Sequence, residues 1–229
     1  MACPDLAAQF LMARHGPETA LFHVYGSPTV RRMLLAQLQS AAARDAATDK
    51  LVRHLLRLGA TPGVQARFLL AAAAGAGDTR VVRTLLRAGA GVGGCGGRAL
   101  VAAASGGHLT TMEVLLSSGV SARAENGAAL LAACKHGQLP AAQLLLRGGA
   151  DPRADGSRAL CEAAASGHLC IVVTLLAAGA QASARGGMAL REAQQAGHAA
   201  VAEALRGLVG AQQTAAAALV PAPMTLRVN

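Results

Sequence analysis

Between Arg158 and Ala184, small apolar residues alternate with single glycines in a way that predicts two short helices back to back. The first lies around Ala159 to Ala165, and Gly167 breaks it. The second runs from about Leu169 to Ala177, carries Leu169, Val172, Leu175 and Leu176 at helical spacing, and stops at Gly179. Neither helix could bury its apolar side alone, because short isolated helices are marginal in water and an apolar stripe needs cover. The chain supplies that cover at a fixed interval. Leu70, Leu100, Leu130, Leu160 and Leu190 share one column, and Leu85, Leu115, Leu145, Leu175 and Leu205 share another. Gly77, Gly107, Gly137, Gly167 and Gly197 form a third, so the register holds at thirty residues without a gap. Self-similarity at such a period predicts stacked helix pairs, an all-α repeat array.

The run A-L-x-x-A-A-x-x-G-H-L-x-x-x-x-x-L-L-x-x-G-A, repeated in phase over roughly 66–210, resembles the ankyrin repeat. That family carries T-P-L-H at the opening of helix one and a period of 33 residues. Here the tetrads are Arg98-Ala-Leu-Val101, Ala128-Ala-Leu-Leu131, Arg158-Ala-Leu-Cys161 and Met188-Ala-Leu-Arg191, and the three missing residues fall after the Gly-Ala pair. The pattern is similar to short-finger ankyrin arrays, in which the β-hairpin finger is trimmed. The resemblance implies an ankyrin-type helical solenoid with short fingers, working as a non-catalytic protein-binding module. It also implies helix-start hydrogen bonding for the column of His108, His168 and His198, and the absent threonine leaves helix one without its usual side-chain cap.

The resemblance further implies a partner docked on the concave face built by the fingers and the ends of helix one. By column, that face includes Lys135 and His136 at helix ends and Arg98, Arg123, Glu125, Asn126, Arg153, Asp155, Arg158 and Arg185 at the fingers. Most other helix-end positions are small (Ser105, Gly106, Ala165, Ser166), so the expected groove is shallow and its chemistry concentrates at Lys135, His136, Arg153 and Arg158. An acidic or extended peptide is the expected ligand.

Outside 66–210 the pattern fades. Asp49 to Leu58 matches helix two of the repeat, so 29–65 reads as a degenerate first repeat and 1–28 as an irregular N-terminal helical cap. Terminal repeats present one face to water and are atypical for that reason. After Gly210 two prolines, Pro221 and Pro223, interrupt the chain, and 211–229 reads as a flexible tail. Gly91 to Gly97 reads as a glycine-rich, mobile finger.

Composition narrows the function. Three Phe, one Tyr and no Trp argue against an aromatic-lined ligand pocket. Five scattered cysteines, without C-x-x-C, argue against a disulfide framework and fit a reducing compartment, cytoplasmic or nuclear. The longest apolar stretch, Leu169 to Ala180, has about twelve residues, short of the ~20 of a membrane span. The N-terminus lacks a charged region ahead of an apolar core, which argues against a secretory signal. No Ser/His/Asp or Cys/His grouping stands out, so no enzyme, cofactor or metal is expected, and the protein is expected to be a monomer. The segment Gly89 to Gly94 satisfies G-x-G-x-x-G, but a helix precedes it where that fingerprint needs a strand. Histidines of one column sit in different repeats about 8–10 Å apart, too far to converge on one metal.

Charge is uneven. The formal net charge is +9, and residues 1–110 hold 12 basic and 5 acidic side chains. Lys50, Arg53 and Arg57 fall on one helical face, and Arg80, Arg83 and Arg87 repeat them thirty residues later. Stacked repeats would bring the six into one patch on the outer helices. Such a patch suits phosphates, so a nucleic-acid-associated protein is the alternative function. A solvated outer face is the competing explanation, and aromatics for base stacking are missing.

Overall fold

Alanine and leucine dominate the segments that the register marks as helices, and both are strong helix formers. The computed structural model describes residues 66–89 and 92–207, with short helical pieces at 9, 11–14, 49–50 and 52–53. Over these residues the chain forms α1 (Ala66–Gly75), α2 (Thr79–Arg87), α3 (Val92–Gly106), α4 (Leu109–Ser117), α5 (Ala124–Lys135) and α6 (Leu139–Arg147). It continues with α7 (Ala154–Ala165), α8 (Leu169–Ala177) and α9 (Ala184–Gln195). A last helix, α10, covers 199–207. Every regular element among the described residues is helical. The cap expected at 1–28, most of the degenerate repeat at 29–65 and the tail at 211–229 lie outside the described residues.

The glycine columns are explained by how the helices stop. At the end of α1 the amide of Gly77 donates to Ala74 O at 3.1 Å and that of Asp78 to Ala73 O at 3.0 Å. This paired closure places the glycine in the left-handed region, at φ +77° for Gly77, where a Cβ would be penalised. The second helices end the same way: Gly149 donates to Leu146 O and Ala150 to Leu145 O. Each hairpin is therefore closed by a glycine inside it and another behind it.

Two compact units divide the chain, Met1–Asp151 and Pro152–Asn229. In the first, α1 packs on α3 and α3 on α5, while α2 packs on α4 and α4 on α6. First helices thus stand beside first helices and second helices beside second helices, with the leucine columns between them. Leu70, Leu85, Leu100, Leu115, Leu130 and Leu145 are all buried. In the second unit α7 packs on α8 and on α9, and Leu160, Leu175 and Leu205 are buried in turn. Leu190, on α9, is only half-buried. On α8 the buried stripe is Ile171, Val172 and Leu175, which leaves Leu169 and Val173 exposed. Leu169, grouped with the apolar stripe in the sequence reading, lies outside it.

The finger regions differ from the usual hairpin in a specific way. Three consecutive residues adopt left-handed backbone: Glu125, Asn126 and Gly127; then Asp155, Gly156 and Ser157; then Arg185, Gly186 and Gly187. Each triplet is a single reversed turn spanned by one amide bond, such as Ser157 N to Arg153 O at 3.2 Å. No side chain caps the helix at Arg123, Arg153 or Ser183. The Ser157 hydroxyl, itself buried, instead accepts the amide of Gln181 at 3.1 Å.

Two expectations are corrected. The glycine-rich run expected as a loose finger at Gly91 to Gly97 is helical from Val92 onward, and Gly91 lies outside the described residues. Gly96 and Gly97 are buried, and a Cβ on Gly97 would come within 2.9–3.0 Å of the Glu125 and Ala124 side chains. These glycines permit close packing rather than motion. The histidine column does not cap its own helices where the caps are described: neither His108 nor His168 makes a side-chain cap bond at the start of α4 or α8. His108 Nε2 donates to Gly75 O at 3.0 Å, and His198 Nε2 to Ala165 O at 3.1 Å, each reaching back to the preceding repeat. Opposite them stand Gly77 and Gly167, whose missing Cβ leaves room for the imidazole.

Gly167→Ala is expected to lower the unfolding free energy by about 1–2 kcal/mol, since it adds a Cβ at φ +75° and against the His198 ring. Glu125→Gly relieves left-handed strain and is expected to be neutral or stabilising by up to about 1 kcal/mol. The same change at Glu162, inside right-handed α7, should cost about 1 kcal/mol. Urea denaturation of the three variants checks both the size and the opposite sign.

Candidate partner-binding face

The reversed turns decide which side chains the fingers display. Glu125, Asn126, Asp155 and Arg185 all sit on them and are exposed. In the second unit two successive turns are joined by charge. Arg185 Nη2 meets Asp155 Oδ1 at 2.6 Å, and Arg158 lies 3.5 Å from the other oxygen of Asp155 and 3.9 Å from Glu162. Asp155 is thus held between two arginines on the surface. Exposed pairs of this kind contribute little to stability, about 0–1 kcal/mol each, so the cluster does not carry the fold.

Arg123 and Arg153 are used differently. Arg123 Nε donates to Gly149 O at 2.7 Å, and Arg153 Nε donates to Gly179 O at 2.8 Å. Each guanidinium reaches from the start of its own hairpin to the carbonyl just past the end of the second helix. A cation there meets the negative end of the helix dipole and satisfies an acceptor that the helix leaves over. Both residues remain exposed to solvent.

In the first unit Lys135 ends α5 and His136 is its C-cap; both are exposed. Arg98 is exposed on α3 and makes an interaction of its own. Of the outer residues, Lys50, Arg53, Arg80, Arg83 and Arg87 are exposed, while Arg57 lies outside the described residues. The structure therefore groups Arg158 and Arg185 with Asp155 and Glu162, and places Arg123 and Arg153 at helix ends. Glu162 was missed from sequence, although its position four residues after Arg158 is the spacing of a helical ion pair.

Among the described residues no group of three His, Cys, Asp or Glu side chains could hold a metal. Burial pushes the Cys134 thiol up to about 12, so it stays protonated and unreactive at neutral pH. Burial also raises Cys161, helped by Glu192 and Glu162 and opposed by Arg185. A hollow of about 350 Å³ lies on the last hairpin, lined by small residues such as Ala193, Gly197 and Ala202 beside Glu203 and Arg206. It sits against Gly197, whose missing Cβ meets nothing, whereas Gly77 and Gly167 face a histidine of the following repeat.

The family model for ankyrin repeats, a three-copy unit, matches residues 68–155 and again 130–216, which together span more than half of the chain. The chain belongs to the ankyrin-repeat family. Ankyrin repeats are in general protein-interaction modules rather than catalysts, and the packed helix hairpins described above are an all-α repeat fold of that kind. No curated protein matches this ankyrin-repeat chain. Among the described residues no helix is long and apolar enough to cross a membrane.

The thiols supply a direct check on this arrangement. Cys170 is exposed, and Cys134 and Cys161 are buried. Cys170→Ser is expected to remove one fast-reacting thiol from the native protein in a titration with a disulfide reagent at neutral pH. Cys134→Ser should leave the fast count unchanged and lower only the total found after unfolding.

Proposed function

We propose that this ankyrin-repeat protein is an adaptor that binds a protein partner through its finger side, without catalysis. The observation that carries the reading is the set of reversed turns, which hold charged side chains outward on backbone that is itself bonded into the repeat. Partners that dock on such a side meet ordered side chains and lose little to ordering them, which favours affinity. In the second unit the recognition chemistry is Arg158 and Arg185 around Asp155. In the first it is Lys135 and His136 at the end of α5, with Arg98 nearer the fingers. Arg123 and Arg153 contribute mainly by fixing their fingers to the ends of α6 and α8. An acidic or extended segment suits this excess of cations, and the guanidinium groups suit carboxylates. Among the described residues Cys134, Cys161 and Cys170 are free thiols, which favours a reducing compartment, the cytoplasm or nucleus, and the chain is taken to act as a monomer.

A comparative affinity purification from nuclease-treated native lysate tests the reading. The Lys135→Glu/Arg158→Glu variant is expected to lose a specific protein that the intact chain retains, while its thermal unfolding is unchanged within about 2 °C. Retention of every bound protein by the variant would refute binding through these side chains.

A further inference from the structure

The outer charges form a built surface in the first unit, separate from the finger side. On α2, Arg80, Arg83 and Arg87 are exposed at i, i+3 and i+7, which places them along one stripe. The helical piece at 49–53 exposes Lys50 and Arg53. Asp49 joins the two. Its carboxylate is only 5% exposed, and it accepts the Thr84 hydroxyl at 2.7 Å on one oxygen and the Arg53 guanidinium at 2.6 Å on the other. Thr84 lies between Arg83 and Arg87 in the chain, so the two basic stripes are neighbours. Each oxygen of Asp49 is thus engaged inside the contact, and Arg53 is already paired there. The other carboxylates on α2 and on the helices packed against it, among the described residues, are Asp78 at the N-cap of α2 and Glu113 on α4.

Composition does not account for this surface. The positions equivalent to 80, 83 and 87 in the later repeats are Thr110, Glu113 and Ser117; Pro140, Gln143 and Arg147; Cys170, Val173 and Ala177; and Ala200, Glu203 and Gly207. One arginine appears among these twelve positions, as the chain's overall frequency of 19 arginines in 229 residues gives, whereas all three positions on α2 are arginine.

We infer that this face binds an acidic protein segment rich in Asp and Glu. Guanidinium groups match carboxylates with two parallel hydrogen bonds, and all but one of the five cations are arginine. At about 1.5 Å rise per residue the stripe offers a cation every ~4.5–6 Å, close to the spacing of carboxylates on successive turns of a helix or on alternate residues of an extended strand. Glu113 bounds the face on the α4 side. A nucleic-acid duplex, with its continuous line of phosphates, would have to carry negative charge across it. The described part of the face also offers no aromatic side chain for stacking bases.

The test titrates a fluorescein-labelled polyglutamate peptide, and in parallel a labelled duplex DNA oligonucleotide, into the full-length protein. Arg80→Glu/Arg83→Glu/Arg87→Glu is compared with Arg147→Glu/Arg191→Glu/Arg206→Glu, which changes net charge equally, and circular dichroism verifies that both fold. Arg80→Gln/Arg83→Gln/Arg87→Gln is the milder alternative should the first variant unfold. The α2 variant is expected to weaken peptide binding about tenfold or more, and the control variant by no more than about twofold. Equal loss in both charge-reversed variants would overturn the inference, because net charge alone would explain it. So would tighter binding of the duplex than of the peptide, lost only with the α2 variant, which would make the face a nucleic-acid surface.

Discussion

A helix hairpin of this length cannot bury its own apolar stripe, and every feature of the fold answers that constraint. Leu70 and Leu85, then Leu100 and Leu115, then Leu130 and Leu145 are buried because a neighbouring hairpin covers them. Alanine at 73 and 74, 103 and 104, and 141 and 142 keeps the helices close, and these side chains too are fully buried. Small side chains bury little area each, so stability must come from the number of closely fitted contacts rather than from any one of them. Sites where backbone meets a side chain of the next repeat become sensitive for the same reason. The imidazole of His198 lies over Gly167 and bonds to Ala165 O, so one column of glycines and one of polar rings hold successive hairpins in register.

The columns that bury leucine and end helices were legible in the sequence, because both depend on residue types with few substitutes. Leucine marks burial, and glycine marks the left-handed closure of a helix. The direction of the histidine bonds was not legible. An imidazole at a helix start can bond to its own turn or to the repeat before it, and only the fit against Gly77 and Gly167 selects the second. The reversed turns were hidden for a different reason. Asn126, Asp155 and the glycines tolerate left-handed backbone, but Glu125, Ser157 and Arg185 do not prefer it, so local preference does not announce three such residues in a row. They are held there by the repeat: by the amide bond across each turn and, at Ser157, by the amide of Gln181. The glycine run misled in the opposite direction, since Gly96 and Gly97 serve close packing against the neighbouring side chains from within a helix.

The same turns connect stability to recognition. A trimmed finger has no hairpin to carry side chains away from the body, so whatever it displays must sit on a turn attached directly to the helix. Strained backbone at Glu125, Asn126, Asp155 and Arg185 keeps those side chains exposed at fixed positions. Glycine would relieve the strain at each but would display nothing. Gly186 and Gly187 show the limit of that trend: their turn presents only Arg185, paired with Asp155 of the turn before.

Arginine has three separate duties in this chain, and the atoms that each guanidinium meets tell them apart. Arg123 and Arg153 meet carbonyl oxygens beyond helix ends and complete the backbone's own hydrogen bonding. Their loss would be felt first as a loosened hairpin. Arg158 and Arg185 meet carboxylates on the surface, in pairs that contribute little to folding and that a partner's carboxylate could replace at small cost. Arg80, Arg83 and Arg87 stand on a helix whose packing is carried by Val81, Val82 and Leu85 on its other side; the fold favours a cation at Arg87, in the last turn, but makes no demand on the charge of Arg80 and Arg83. Three like charges on one short helix repel one another by a few tenths of a kcal/mol per pair. Arg80 and Arg83, which have no basic counterpart in the later repeats and no part in the packing, suit the acidic partner inferred above. Binding such a partner relieves the repulsion that the folded chain alone must bear.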